Sequence, residues 1–578
     1  MWSLGNYPTR TAIYGLMLMA WPPRPLVADE PAAAAWYTGA EDCRSCHGNQ
    51  TASPHGWIQQ TELRVWDEED AHRQAFSVLT EDRSLKMLGR LSGGTITGFE
   101  AADPDLQQAC LACHALPDKR SRPHARAALH ERFRQDEGYV PLSEGVSCEA
   151  CHGPADAWIG EHWRDDWRCL TPAEKAERGM WDLRDAYVRA EQCTSCHVGD
   201  LSNLERPRLI THAMYAAGHP PLTGIEMQGF ARSMPPHWLT MREKRERDAP
   251  LGDQSVFREQ IDAQLIQEHE LLETRSLLVG DAIALRAVLQ LVESQAEEVA
   301  DDPQARWPEL ALFDCYGCHH DLRDSTWRRD LAYASDPPAL RQHRRPKGPW
   351  RSKHPGRVFL GTWAGAVILN PAVATWAGQL EARPSPFPEQ PLIDLAMLPQ
   401  QIRDLETALT ELRALFGRYH FGGPPAELAK RAGAAADAAD AVAQLLNRAS
   451  VPPSAGQQLA LALCRSGASR PQDFDSARQH AWALQTVLGD LQRFQPQQPA
   501  ADAALADLQQ GLQLFAASSR RQLERPTEDG SQLLFAELAA LSFARRQMYE
   551  SWSGDEHAVQ KIFSALEPAI AALEITVD

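Results

Sequence analysis

Cys-x-x-Cys-His occurs five times in this chain, and nothing else in the sequence constrains its folding as strongly. The copies are CRSCH from Cys43 and Cys46 to His47, CLACH from Cys110 and Cys113 to His114, CEACH from Cys148 and Cys151 to His152, CTSCH from Cys193 and Cys196 to His197, and CYGCH from Cys315 and Cys318 to His319. With 12 cysteines and 20 histidines scattered over 578 residues, chance would give about 0.01 copies. On a helical turn, positions i, i+3 and i+4 share one face, so both sulfurs and the imidazole of each copy point the same way. Two thioethers can then grip the vinyl edge of a porphyrin while the histidine takes its iron, which is the attachment signature of haem c. Zinc would need such half-sites joined in pairs, and five separate halves each ending in histidine do not divide that way. A 64.2 kDa chain has no need of a disulfide framework either. The sequence therefore predicts five covalently attached haem c groups.

Haem is attached to such chains outside the cytoplasm, and the N-terminus fits export. Arg10 precedes the eleven-residue apolar run TAIYGLMLMAW, and the small-residue stretches LVADE and AAAAW follow it. These are the parts of a secretory signal, expected over residues 1–35, and they place the protein in the periplasm or otherwise outside the cytoplasm. Eleven residues fall short of the ~20 that span a bilayer, as does the run VFLGTWAGAVIL at 358–369, so no transmembrane span is expected. Cys169 and Cys464 stand outside the motifs and read as a disulfide or as buried thiols, with a thiolate haem ligand as a further reading of Cys169.

A carrier haem is closed by a second axial ligand, whereas a reactive haem keeps that position open. Fifteen histidines remain for the task. His72 sits in the helix-compatible VWDEEDAHRQAF, His162 ten residues beyond His152, and His237 in MPPHW. His212 and His219 lie in ITHAMYAAGHPPL, two helical turns apart, with Gly218 ending the helix and two prolines holding His219 extended. These five are the candidate distal ligands, His212 and His219 for different haems. His320 points about 100° away from His319 on a helix, so it cannot reach the other face of the same haem. His55, His124 and His130 are reserves; His269, His343, His354, His420, His480 and His557 lie in surface-type patterns.

The segment GVSCEACHGPADAWIGEH resembles the multihaem family that includes cytochrome c-554. There, Gly-Val precedes the motif, and Gly-Pro and then a distal histidine follow it, which maps onto His162. DAHRQAF is similar to the family segment whose histidine is distal, mapping onto His72. ITHAMYAAGHPPL, PPHW and CYGCHHDL are similar to segments of five-motif exported relatives. The resemblance covers about residues 36–330 and implies a haem-packed fold with little regular sheet, and electron transfer by analogy. The fifth motif and the long C-terminal region depart from the tetrahaem pattern.

The expected fold class is mainly α: a pentahaem domain at 36–334, a basic linker with an apolar docking segment at 335–389, and a helical bundle at 390–578. Residues 255–300 carry apolar residues at helical spacing, as do several segments beyond 390, separated by Pro/Gly breaks. Because the bundle carries no strong ligand candidate, cutting the chain near residue 385 is expected to leave the haems in place. The bundle helices are also a candidate homo-oligomer surface. A formal charge of −19 argues against a nucleic-acid partner, which needs a basic face, and suits redox protein partners. Two function classes compete: an electron carrier with its haems closed, and a multihaem redox enzyme with one open haem acting on a small nitrogen or sulfur compound. No dedicated acid–base apparatus stands out, which favours the carrier.

Overall fold

The computed structural model describes residues 37–53, 58–116, 142–168, 170, 172–203, 206–220, 222, 227–248, 270–302, 307–313, 376–377, 380–382, 394–418, 420–468, 474–492 and a few positions between 564 and 571. The N-terminal signal, Cys169, the fifth motif, the basic linker and the apolar run at 358–369 lie outside them. The described chain is helical, and its sheet is one antiparallel two-residue pair, Glu381–Ala382 with Ala449–Ser450.

In the N-terminal part, short helices carry the cysteine motifs at their C-terminal ends. Pro104–His114 and Ala186–His197 are long enough to need proper starts, and aspartates supply them. Asp103 accepts from the Asp105 and Leu106 amides at 2.9 and 3.4 Å, with Pro104 in the first turn. Asp185 accepts from the Tyr187 and Val188 amides at 2.8 and 3.1 Å. At the other end, two arginines of the 206–208 loop bind carbonyls of the closing turn. Arg206 donates to the Leu111 and Ala115 oxygens, and Arg208 to the Ala112 oxygen and the Ser195 hydroxyl. One loop thereby clamps the second motif to the fourth.

The 30-residue helix Leu272–Asp301 is the axis of the rest. Between Leu277 and Val292 it is apolar except at Asp281, Arg286 and Gln290, and such a helix must be covered on most sides. Pro425–Asn447, Phe474–Gln492, Ala186–His197 and Met227–Ser233 cover it. Pro425–Asn447 comes close because Ala429, Ala432, Ala435, Ala436, Ala439 and Ala443 are all buried, leaving no long side chains to hold the backbones apart. Leu398–Arg418 and Pro453–Ala468 complete the bundle, so helices fall where the sequence beyond 390 predicts them. A single apolar core runs from Ala186 in the motif-bearing part through the central helix to Ile570. Cys464 is a free, fully buried thiol within it, and burial pushes that thiol up to about 12. His480, expected at the surface, is buried because its helix turns that face inward.

Candidate functional site

Four of the five motifs lie within the described residues, and each places its cysteines and histidine on one helical turn. Seven of their eight cysteines line a continuous cavity of about 2600 Å³; Cys110 packs instead against the apolar cluster of Leu88, Phe99 and Leu111. A site for one small molecule occupies roughly 300–1,000 Å³, so this cavity has room for several large cofactors side by side. His47, His114, His152 and His197 all face it, together with His72, His162, His219 and His237. The fifth distal candidate, His212, does not line it. Its amide donates to Glu309 at 2.7 Å, six residues before Cys315 in sequence. Thr211 starts the helix His212–Ala217 and Gly218 ends it, as the sequence predicts, so this one turn separates His212 from the cavity and delivers His219 to it.

Four of the eight imidazoles face one another in two pairs. His47 and His162 have ring centres 6.2 Å apart with planes inclined by 19°. His72 and His197 are also 6.2 Å apart, inclined by 85°. Burial, and after it the neighbouring His237, holds His152 down to about 4. Burial first, with a smaller push from His114, holds His219 below the ordinary value. His197 is held at about 4 by burial and then by His72, and His114 is lowered by burial. Buried neutral imidazoles are the form that ligates metal.

The hydrogen bonds tell which ring nitrogen is available. Nδ1 of His47 meets Glu62 at 3.0 Å, and that of His72 meets Asp70 at 2.9 Å. These carboxylates raise both imidazoles through the hydrogen bond. Nδ1 of His114, His162, His219 and His237 faces the carbonyls of Ala75, Ile159, Pro220 and Pro235, at 2.7, 2.9, 2.7 and 3.3 Å. Donation from Nδ1 fixes the tautomer that leaves the Nε2 lone pair for a metal. Yet among the described residues no group of three or more His, Cys, Asp or Glu could hold a bare ion. The imidazoles come in twos, which suits an iron that brings four nitrogens of its own and not zinc.

The motifs themselves adjoin. The thiols of Cys43 and Cys148 are within hydrogen-bonding reach, as are those of Cys113 and Cys196. Cys151 feels the charge of Cys193 and Cys196. The order along the cavity is therefore first, third, fourth, second. Two glycines of the third motif's surroundings show why its sequence is what it is. A Cβ on Gly145 (φ 67°) would sit 2.7 Å from the His72 carbonyl, which also accepts from the Val146 amide. A Cβ on Gly153 (φ 84°) would sit 2.2 Å from the Gly179 carbonyl.

Residues 42–153 match the family described as cytochrome c554 and c-prime. The chain is a cytochrome c-554-like multihaem cytochrome. It is 25% identical over 175 residues to cytochrome c-554 of Nitrosomonas europaea, a match covering 29% of this chain and 60% of that protein. No solved structure matches the cytochrome. Its covalent haem c accounts for the paired cysteines, and the size of the cavity and the histidines that line it fit that group. The glycines around CEACH, on which the sequence resemblance leaned, lie inside the matched stretch. Sequence reasoning did not find Glu62 and Asp70. Asp70 carries a faint signal, since an aspartate two residues before a histidine can form a local turn, and it does accept from the His72 amide at 2.9 Å. Glu62 is fifteen residues from His47, and nothing in the sequence links the two.

Proposed function

We propose that this protein is an exported pentahaem electron carrier that relays electrons between redox protein partners. One observation carries the reading: His47–His162 and His72–His197 both stand with ring centres 6.2 Å apart. Two imidazoles holding one metal between them, with bonds of about 2.0 Å and ring centres about 1.2 Å behind each nitrogen, would have centres about 6.4 Å apart. His47 with His162 and His72 with His197 would accordingly each hold one haem between them as an axial pair. His114 with His219 and His152 with His237, all in the lining of the same cavity, would hold the other two. The paired cysteines hold each haem covalently, and Cys315, Cys318 and His319 hold the fifth. His212 is left to serve that fifth site, its backbone tied to Glu309 just ahead of the motif in sequence.

The haem iron supplies a one-electron couple. The chain's own residues decide what that couple can do. An imidazole on each face would keep the iron low-spin, limit rearrangement on reduction, and leave no position for substrate at the four described sites. Nδ1 hydrogen bonds hold six of the eight rings in place, and Trp66, Trp158, Phe230 and Leu291 give the cavity apolar surface beside them. The adjoining motifs keep successive sites close enough for relay. Among the described residues no helix is long and apolar enough to cross a membrane. The net charge of −19 favours partners with a basic docking face.

Haem stoichiometry tests this directly. The pyridine haemochrome and the intact mass of the mature protein should agree on five. Four would remove the fifth motif from the scheme, and three or fewer would end the reading.

A further inference from the structure

The second nitrogens of the ligand imidazoles do not all meet the same kind of acceptor, and the difference is distributed in a pattern. At the first motif, His47 faces the Glu62 carboxylate, and opposite the fourth motif's His197, His72 faces the Asp70 carboxylate. Both acids are largely enclosed, their side chains 15% and 5% exposed, so solvent screens them little. At the second motif, both His114 and His219 turn Nδ1 to backbone carbonyls, and at the third so does His237. Asp182 lies near His152, but it is paired with Arg184 and Lys175. Two sites thus carry an anion behind an axial imidazole, and two carry neutral dipoles.

We propose that Glu62 and Asp70 set the reduction potentials of the first and fourth haem sites below those of the second and third. This rests on the axial pairs assigned above. Ferric haem carries one positive charge more than ferrous haem. A carboxylate drawing on the Nδ1 proton makes the imidazole a stronger donor and stabilises the ferric form, whereas a carbonyl does so less. The order along the cavity gives this difference a use. The first site adjoins the third through Cys43 and Cys148, and the fourth adjoins the second through Cys113 and Cys196. Each neighbouring couple therefore joins one carboxylate-backed site to one carbonyl-backed site. An electron entering a couple rests on its carbonyl-backed member, so the cytochrome holds two electrons at the second and third sites before the other two fill.

Spectroelectrochemical titration of the haem-loaded protein reads this out, comparing wild type with Glu62→Gln, Asp70→Asn and the double variant. Glutamine and asparagine keep an acceptor for Nδ1 and remove the charge. Each single variant should raise one low-potential component, a different one in each case, by about tenfold in its reduction equilibrium, which is 59 mV for one electron. The double variant should raise both. Glu69→Gln, which removes an exposed carboxylate at the same cavity, should leave the curve in place. Glu62→Asp and Asp70→Glu keep the charge and should hold wild-type potentials, so the comparison survives if an amide variant loads haem poorly. Unchanged potentials in both amide variants, or a uniform shift of every component, would overturn the proposal. A wild-type protein without haem would instead overturn the haem reading beneath it.

Discussion

Ending the chain before Leu398 should abolish folding of the haem region, although His480, in the bundle beyond that point, does not line the cavity. The central helix shows why. Eighteen of its 30 residues are buried, nine of them Leu, Ile or Val: Leu277, Leu278, Val279, Ile283, Leu285, Val288, Leu289, Leu291 and Val292. Its cover on one side is Ala186–His197, which carries the fourth motif, and on the others the helices from 425 to 492. Burying one such side chain contributes about 1.5–3 kcal/mol, so uncovering half of the nine costs roughly 7–13 kcal/mol. That is comparable to the whole stability of a typical domain, about 5–15 kcal/mol. Arg286 adds to the dependence: it donates to Glu191 beside the fourth motif and to Asp440 in the bundle, each at 2.6 Å. A protein truncated at residue 397 should show little visible haem spectrum and be recovered as aggregate or fragments. A soluble truncated protein with full haem content would restore the separable bundle that sequence patterning alone suggests.

Glu149→Ala should destabilise the haem-loaded protein on the order of 2–6 kcal/mol without removing any ligand. Glu149 occupies a variable position of CEACH, yet it is 1% exposed. Its carboxylate accepts from the Gly39 amide at 2.7 Å, the Ala155 amide at 2.7 Å and the Thr38 amide at 2.9 Å. Burial pushes its carboxyl up, and the three amides pull it back toward the charged form they bind. The Gly39 and Ala155 bonds are buried, and a buried donor left without its partner costs about 1–3 kcal/mol. The side chain ties the chain entering the first motif to the third motif, so its loss should loosen both sites together. Chemical denaturation followed at the haem absorbance and by near-ultraviolet circular dichroism reads the loss. A midpoint equal to wild type would show that water replaces the carboxylate.

What could be read in advance divides by the range of the interaction. The Cys-x-x-Cys-His turns are local chemistry, and the helices that carry them end where the pattern requires. Candidate distal histidines are also visible, because His72, His162 and His219 sit in short segments whose backbone is fixed by Asp70, by the turn after Ala155 and by Gly218. Their partners are not, since His72 lies 125 positions from His197 and no periodicity connects them. The long helical pattern of 255–300 announces a helix, and Leu272–Asp301 is one. Its place as a core shared by both halves comes from packing against the alanine stripe of Pro425–Asn447, which the pattern of one helix cannot express. Glu62 and Glu149 look like ordinary surface acids in sequence. Only the fold brings an imidazole to one and three amides to the other.

The central claim is that the haems are closed on both faces, making this cytochrome a carrier. Electron paramagnetic resonance of the oxidised protein, recorded before and after addition of nitric oxide or cyanide, tests that claim most directly. The account predicts low-spin ferric signals alone, unchanged by either ligand. A high-spin ferric haem that binds nitric oxide or cyanide would contradict it.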